Sequence, residues 1–176
     1  MSEHLADGER TYLRRITYAD ADEYLEAAIA SRDLHHPWIE APKDHAAFTA
    51  YVDQIAANPA KLGMVFCDRT DDRIAGNLNV SNIVHGSFRC AAIGYSVFAH
   101  AAGQGLMGDA LDAVVRYAFG PLGLHRLEAN IQPGNARSIA LVKRHGFRLE
   151  GFSPDFLFID GAWRDHERWA ITAEMV

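Results

Sequence analysis

The residues whose types and spacing could do chemistry lie in Ala99-His-Ala-Ala-Gly-Gln-Gly-Leu-Met-Gly-Asp-Ala-Leu111. Closely spaced glycines run into a strongly amphipathic stretch. Glycine lets the backbone approach a ligand and adopt positive φ. The first amides of a helix lack internal partners and carry the positive end of its dipole. A loop-to-helix junction of this kind can seat an anion such as a pyrophosphate. In isolation, a plain glycine-rich turn reads the same way. The spacing is not that of the dinucleotide fingerprint, and no Gly-Lys-Ser/Thr follows as in a Walker loop.

Other chemistry-bearing residues are more scattered. Glu128 and Asn130 share one strand face, and His85, Asp155 and Asp160 fall on loops or strand ends. His35 and His36 are adjacent and cannot share an element's face, so the histidines form no ligand set and no metal is expected. Cys67 and Cys90 sit in apolar surroundings and read as buried thiols of a reducing compartment. Phe156 and Phe158 alternate onto one strand face, which predicts core packing.

Those residues need elements to position them. Tyr12–Ile16 reads as a strand. Asp20 can start a helix whose Tyr24, Leu25, Ala28 and Ile29 share a face. His35-His36-Pro37-Trp38 breaks it. Phe48, Tyr51, Val52, Ile55 and Ala56 mark a second helix, ended by Asn58-Pro59. Strands follow at 63–67, 73–80 and 88–98, with 82–86 as a loop, and the short connections predict an antiparallel meander. Residues 103–119 form the strongest helix. Leu124–Ile131 alternates as a strand. Asn135 caps a short helix that ends at Gly146. Strands at 148–159 and 162–172 flank the Asp160-Gly161 turn. The order β-α-α-β-β-β-α-β-α-β-β predicts an α/β (α+β) fold: about seven strands in a mixed, mostly antiparallel sheet, with about four helices.

The 176 residues, 49% hydrophobic and 23% charged, are suited to one globular domain over 1–176, with 1–10 as a flexible N-terminus. That balance excludes disorder and a disulfide-stapled miniprotein. A net charge of −6 leaves no broad basic footprint for nucleic acid. There is no secretory leader and no membrane-length apolar run, so a cytoplasmic location is expected.

Several motifs in order carry a family resemblance. Ala102-Gly-Gln-Gly-Leu-Met107 resembles the Gln/Arg-x-x-Gly-x-Gly/Ala signature of the GNAT N-acetyltransferases. The similarity continues through Arg126-Leu-Glu-Ala-Asn-Ile-Gln-Pro-Gly-Asn135, Ser138, His145-Gly-Phe147 and Leu149-Glu-Gly-Phe152. Ile159-Asp-Gly-Ala-Trp-Arg-Asp-His166 resembles the RimJ/RimL-like, ribosomal-protein-alanine N-acetyltransferase branch. The N-terminal half agrees more loosely, through Leu13-Arg14, Asp20-Ala21, Ser31-Arg32 and Pro37-Trp38. Ala102 and Met107 depart from the signature.

The resemblance implies a GNAT fold, a sheet splayed open, and acetyl-CoA as cosubstrate. Gly103, Gln104, Gly105, Leu106, Met107 and Gly108 would cradle its pyrophosphate by their amides. Tyr95, Ser96 and Val97 would pair with its pantetheine arm like an added strand, with Gly94 suited to a bulge. Asn135 would bond the pantetheine, and Ser138 would be a proton donor to the leaving thiolate. Val142 stands where other branches place a tyrosine acid. Glu128 is a candidate base, with Asp155, Asp160 and His85 as the others, and Trp38 and Phe156 are candidate substrate contacts.

The implied activity is acetyl transfer to a primary amine, foremost the α-amine of a protein N-terminus. An α-amine of pKa about 7.7–8.0 is roughly a quarter to two-fifths neutral near pH 7.5, whereas lysine at about 10.4 is neutral about once per thousand. An α-amine therefore needs little more than a water and a weak acceptor. A small amine (an antibiotic, a polyamine or an amino acid) is the alternative acceptor. A non-catalytic acyl-CoA-binding protein is a third reading. The final strands also leave room for a homodimer.

Overall fold

The computed structural model of the chain describes residues 4–176. Its framework is one eight-stranded sheet in the order β1-β2-β3-β4-β5-β6-β8-β7. The strands are β1 His4–Asp7, β2 Thr11–Arg15, β3 Lys61–Asp68, β4 Ile74–Val84, β5 Cys90–Val97, β6 Arg126–Ile131, β7 Arg148–Ile159 and β8 Ala162–Thr172. The helices are α1 Ala21–Ala30, α2 Arg32–His35, α3 His45–Ala56, α4 Leu106–Phe119 and α5 Ala136–Arg144. Every neighbouring pair is antiparallel except β5 with β6.

That parallel pair positions the site. β5 meets β6 only where Cys90, Ala91 and Ala92 face Arg126, Leu127 and Glu128. Beyond Ala92 the two strands part. Ile93–Val97 keep β4 as their partner, and Ala129–Ile131 keep β8. The sheet is thus splayed, as expected.

The two faces are covered by different helices. Leu106, Ala110, Leu111, Val114, Val115 and Ala118 of α4 recur at helical spacing and bury themselves against Leu13, Met64, Phe66, Leu78, Ile93 and Leu127. On the opposite face, Tyr24, Leu25 and Ala28 of α1 and Phe48 and Val52 of α3 pack on Val65, Cys67, Ile74 and Phe98. Phe48, Phe66 and Phe98 are wholly buried, each worth about 1.5–3 kcal/mol of transfer free energy. Cys67 and Cys90 are free and buried, and burial pushes both thiols up.

Four expectations are corrected. Residues 1–10 were expected to be a flexible N-terminus, but His4–Asp7 form an edge strand on β2; residues 1–3 lie outside the described part. This adds an eighth strand, and the one-turn α2 adds a fifth helix. Gly94 makes no bulge, because Leu78, Asn79 and Val80 pair with Tyr95, Gly94 and Ile93 in unbroken register. The irregularity lies between Ser81 and Val84, where Asn82 takes φ 55° and lets the strand run on through the expected loop. Finally, Phe158 is 63% exposed rather than in the core. The β7–β8 register slips between Ser153 and Leu157, with Asp155 at φ 47°, and this breaks the simple alternation.

Candidate active site

The glycine loop leaves β5 through a short 3-10 turn at Ala99–Ala101 and enters α4. Gly103 and Gly105 hold φ 76° and 80°, which a side chain would strain. Gly105 is the N-cap of α4, and no atom lies within 4 Å of where a Gly103 Cβ would be. The first-turn amides therefore follow an open, glycine-made approach. Leu106 is buried, and Met107 is buried but borders the cleft. Gly108 lies against His145, whose Nε2 would be 2.6 Å from an added Cβ. The His145 Nδ1–H donates to Asp112 at 2.6 Å, tying the end of α5 to α4. Gln104 is exposed and donates to the His100 carbonyl at 2.7 Å.

Opposite this loop, the edge of β5 faces α5. The Tyr95 hydroxyl and Ser138 Oγ are 2.6 Å apart. The Ser138 amide donates to Asn135 Oδ1 at 3.2 Å, so Asn135 is the cap of α5 and holds Ser138 in its first turn. Burial pushes the Tyr95 phenol up to about 12, against the opposing pull of its bond to Ser138. Ser96 points to the other face, where its hydroxyl and that of Tyr24 both donate to Asn77 Oδ1. The Ser96 side chain is therefore a sheet-to-helix tie, and only its backbone remains for a ligand.

The third wall comes from the segment after α1. His35 is 7% exposed, and its Nε2–H donates to the Val97 carbonyl at 2.9 Å. Its Nδ1 is buried without a partner among the described residues. Trp38 lies across Gly134, where an added Cβ would meet the indole at 3.0 Å. Together these walls enclose a cleft of about 940 Å³, within the range of roughly 300–1,000 Å³ typical of small-molecule sites.

Of the residues singled out from sequence, Trp38, Tyr95, Ser96, Val97, Gly103, Met107, Asn135 and Ser138 line this cleft. Gln104, Gly105, Leu106 and Gly108 adjoin it through the loop and helix start. Glu128 and Phe156 are not among its lining residues, nor are His85, Asp155 and Asp160. Glu128 accepts from Arg126 at 2.9 Å and Arg168 at 2.7 Å. Burial alone would raise its pKa, but the two guanidiniums outweigh that and hold it below the usual carboxylate range. It is a poor proton acceptor as placed. Phe156 stacks under the Arg168 guanidinium at 4.5 Å. The bond of His35 to Val97 has no local signal in the sequence, nor has that of Arg10, whose guanidinium bonds the loop carbonyl of Gln104. Both contacts arise only when distant segments meet.

Comparison with known proteins agrees with this geometry. Residues 10–148 match the family model described as an acetyltransferase (GNAT) domain. The chain is 36% identical over 155 residues to the [ribosomal protein uS5]-alanine N-acetyltransferase of Escherichia coli, covering 88% of this chain and 78% of that protein. The solved structure of Mycobacterium smegmatis RimJ in complex with CoA-disulfide superposes with a TM-score of 0.89 at 30% identity, covering 96% of this chain and 87% of that one. The spermidine N-acetyltransferase of Vibrio cholerae, solved with CoA and spermine, shares the fold at 20% identity and a TM-score of 0.80, covering 94% and 97%. A glycine loop at a helix start, a splayed sheet and an acetyltransferase match over most of the chain converge, and the chain belongs to the GNAT N-acetyltransferases.

Proposed function

We propose that the chain moves the acetyl group of acetyl-CoA to the α-amine of a protein N-terminus, in the cytoplasm and as a single domain over 1–176. The observation that carries the reading is the splay after Ala92, with the glycine loop at one end of the cleft and the Tyr95–Ser138 pair on its wall. The relatives named above supply the chemistry of donor and acceptor.

The residues present fit acetyl-CoA. The amides of Gly103, Gln104, Gly105, Leu106, Met107 and Gly108 would hold its phosphates. The edge of β5 at Tyr95, Ser96 and Val97 that is turned away from β4 would meet the pantetheine amides, with Asn135 beside it and the Val97 carbonyl already taken by His35. When bound, acetyl-CoA supplies an activated acyl thioester. Trp38 would wall the acceptor side. Glu128 and Phe156 stay outside this assignment.

Ser138 Oγ–H would meet negative charge on the departing sulfur, with Tyr95 donating to Ser138 in turn. Magnitudes limit this role. A phenol at about 12 is some 3.5 units weaker as an acid than an ordinary thiol at about 8.5, so full transfer is uphill by about 5 kcal/mol. The pair therefore stabilises the thiolate by hydrogen bonding, and solvent completes the protonation. On the amine side, Glu128 stands at the end of the β5–β6 ladder and is held ionised by two arginines. An acceptor amine already partly neutral suits such a site.

The test is thiol release from acetyl-CoA against peptides with free Ala, Ser or Met N-termini, their Nα-blocked lysine-containing forms, and spermidine. Turnover that vanishes on blocking supports the reading. Turnover confined to spermidine overturns the protein acceptor.

A further inference from the structure

The β1–β2 turn reaches the glycine loop from nearly a hundred residues earlier in the chain. We propose that Arg10 is a positioning residue for the phosphate seat, and that this turn is a built wall of it. The proposal rests on the acetyl-CoA reading of the cleft.

The turn is anchored at one point. Asp109, in the first turn of α4, accepts four hydrogen bonds from it. The amides of Glu9, Arg10 and Thr11 donate at 2.9, 3.1 and 2.8 Å, and the Thr11 hydroxyl donates at 2.6 Å. Gly8 lets the turn come this close, since a Cβ there would fall 2.1 Å from Asp109 Oδ2. A carboxylate in this position would otherwise oppose an anion at the helix start. Here its oxygens are turned onto the β1–β2 amides.

With its own amide pinned, Arg10 sends its guanidinium to the loop. Nη1 donates to the Gln104 carbonyl at 2.6 Å and lies 3.6 Å from where a Gly105 Cβ would be. In a trans peptide the C=O and the next N–H point in opposite directions. A guanidinium fixed on the Gln104 carbonyl therefore turns the Gly105 amide to the face away from Arg10. That amide belongs to the N-cap of α4. The bond also polarises the peptide, which strengthens the amide as a donor.

Charge points the same way. Residues 99–108 contain neither Lys nor Arg, and Ala102 stands where the family signature has Gln or Arg. Arg10 brings a permanent positive charge to this loop from the β1–β2 turn. Arg10 acts through the Gln104–Gly105 peptide and through its field.

The experiment compares wild type with Arg10→Ala, Arg10→Gln, Arg10→Lys and the exposed control Arg73→Ala. It measures calorimetric Kd for CoA, KM for acetyl-CoA, KM for the acceptor, and kcat. Arg10→Ala is expected to weaken CoA binding roughly tenfold, the scale of one charge-assisted hydrogen bond. KM for acetyl-CoA should rise in step, with kcat and acceptor KM within about twofold of wild type, as for lost ground-state binding. Arg10→Lys should recover part of the affinity, Arg10→Gln less, and Arg73→Ala should match wild type. The salt dependence of CoA binding should flatten in Arg10→Ala and Arg10→Gln but not in Arg10→Lys. CoA affinity within twofold of wild type in both Arg10→Gln and Arg10→Ala overturns the proposal. So does a loss in which kcat and acceptor KM worsen as much as KM for acetyl-CoA. A wild-type chain that binds no CoA overturns the cofactor reading itself, and the role of Arg10 with it.

Discussion

The phenolic oxygen of Tyr95 and the Oγ of Ser138 lie 2.6 Å apart, joining the free edge of β5 to the first turn of α5. The bond crosses the wall of the cleft where the thioester would lie. Tyr95→Phe and Ser138→Ala should each lower kcat by about 10- to 100-fold, with CoA affinity nearly unchanged. Because the two act in series, the double variant should cost little more than the worse single one. Stopped thiol-release kinetics would show this. Fully multiplicative losses would mean that the two hydroxyls act independently.

The pH profile should be set by the acceptor. With an alanine N-terminal peptide, kcat/KM should rise with pH and level off above about 8, following the neutral fraction of an α-amine. Tyr95 is raised to about 12, so its phenol keeps its proton throughout and no descending limb should appear below pH 10. A fall between pH 9 and 10 would assign an acid with an ordinary phenol or thiol pKa.

Glu128 provides a sharp contrast. Its bond to Arg168 ties β6 to β8, and Arg126 on its own strand adds a second positive partner that holds it ionised. Glu128→Gln should keep kcat within about threefold while lowering the urea midpoint, since each lost bond to a charged group costs about 1.5–3 kcal/mol. A hundredfold drop in kcat with an unchanged midpoint would restore Glu128 as the base.

Asp109 should give the fold an acid-sensitive seam. Burial would raise its pKa, but the Thr11 hydroxyl and the amides of Glu9, Arg10 and Thr11 outweigh that, and it sits below the ordinary aspartate value of 3.8. A lowered folded pKa means that the stabilisation is present above that value and is lost as pH falls through the folded one. Asp109→Asn should therefore cost about 1–3 kcal/mol at pH 7, and the difference from wild type should shrink below pH 4. Urea titrations from pH 7 to pH 3 would measure it. A constant difference across that range would mean that the carboxylate charge contributes nothing.

Much of this architecture is readable from residue patterns. The final hairpin at Arg148–Ile159 and Ala162–Thr172, the long α4 and the Asn135 cap all follow from strong local signals: alternation, helical spacing and a turn or capping residue. The glycine loop and Ser138 follow from motif. What escaped is tertiary. His4–Asp7 is a four-residue edge strand whose apolar part is Leu5 and Ala6 alone, too short to show an alternation. Gly94 looked like a kink because glycine in a strand often is one, but the irregularity sits on the partner strand at Asn82. The Tyr95–Ser138 contact, the Arg10–Gln104 bond and the His35–Val97 bond span 43, 94 and 62 residues of sequence. No local pattern reports on such meetings.

The short β5–β6 ladder has a mechanical meaning. Strands β1 to β5 form one panel, and β6, β8 and β7 form another. Among the described residues, the pairs Cys90–Arg126, Ala91–Leu127 and Ala92–Glu128, with the His125 and Arg126 amides on the Arg89 carbonyl, stitch them into a continuous sheet. The panels meet as two boards meet at a hinge pin, with α4 and α5 as the braces. A molecule lying along the open edge of β5 would bridge the gap and stiffen the joint, so occupancy would be felt as rigidity across the whole sheet.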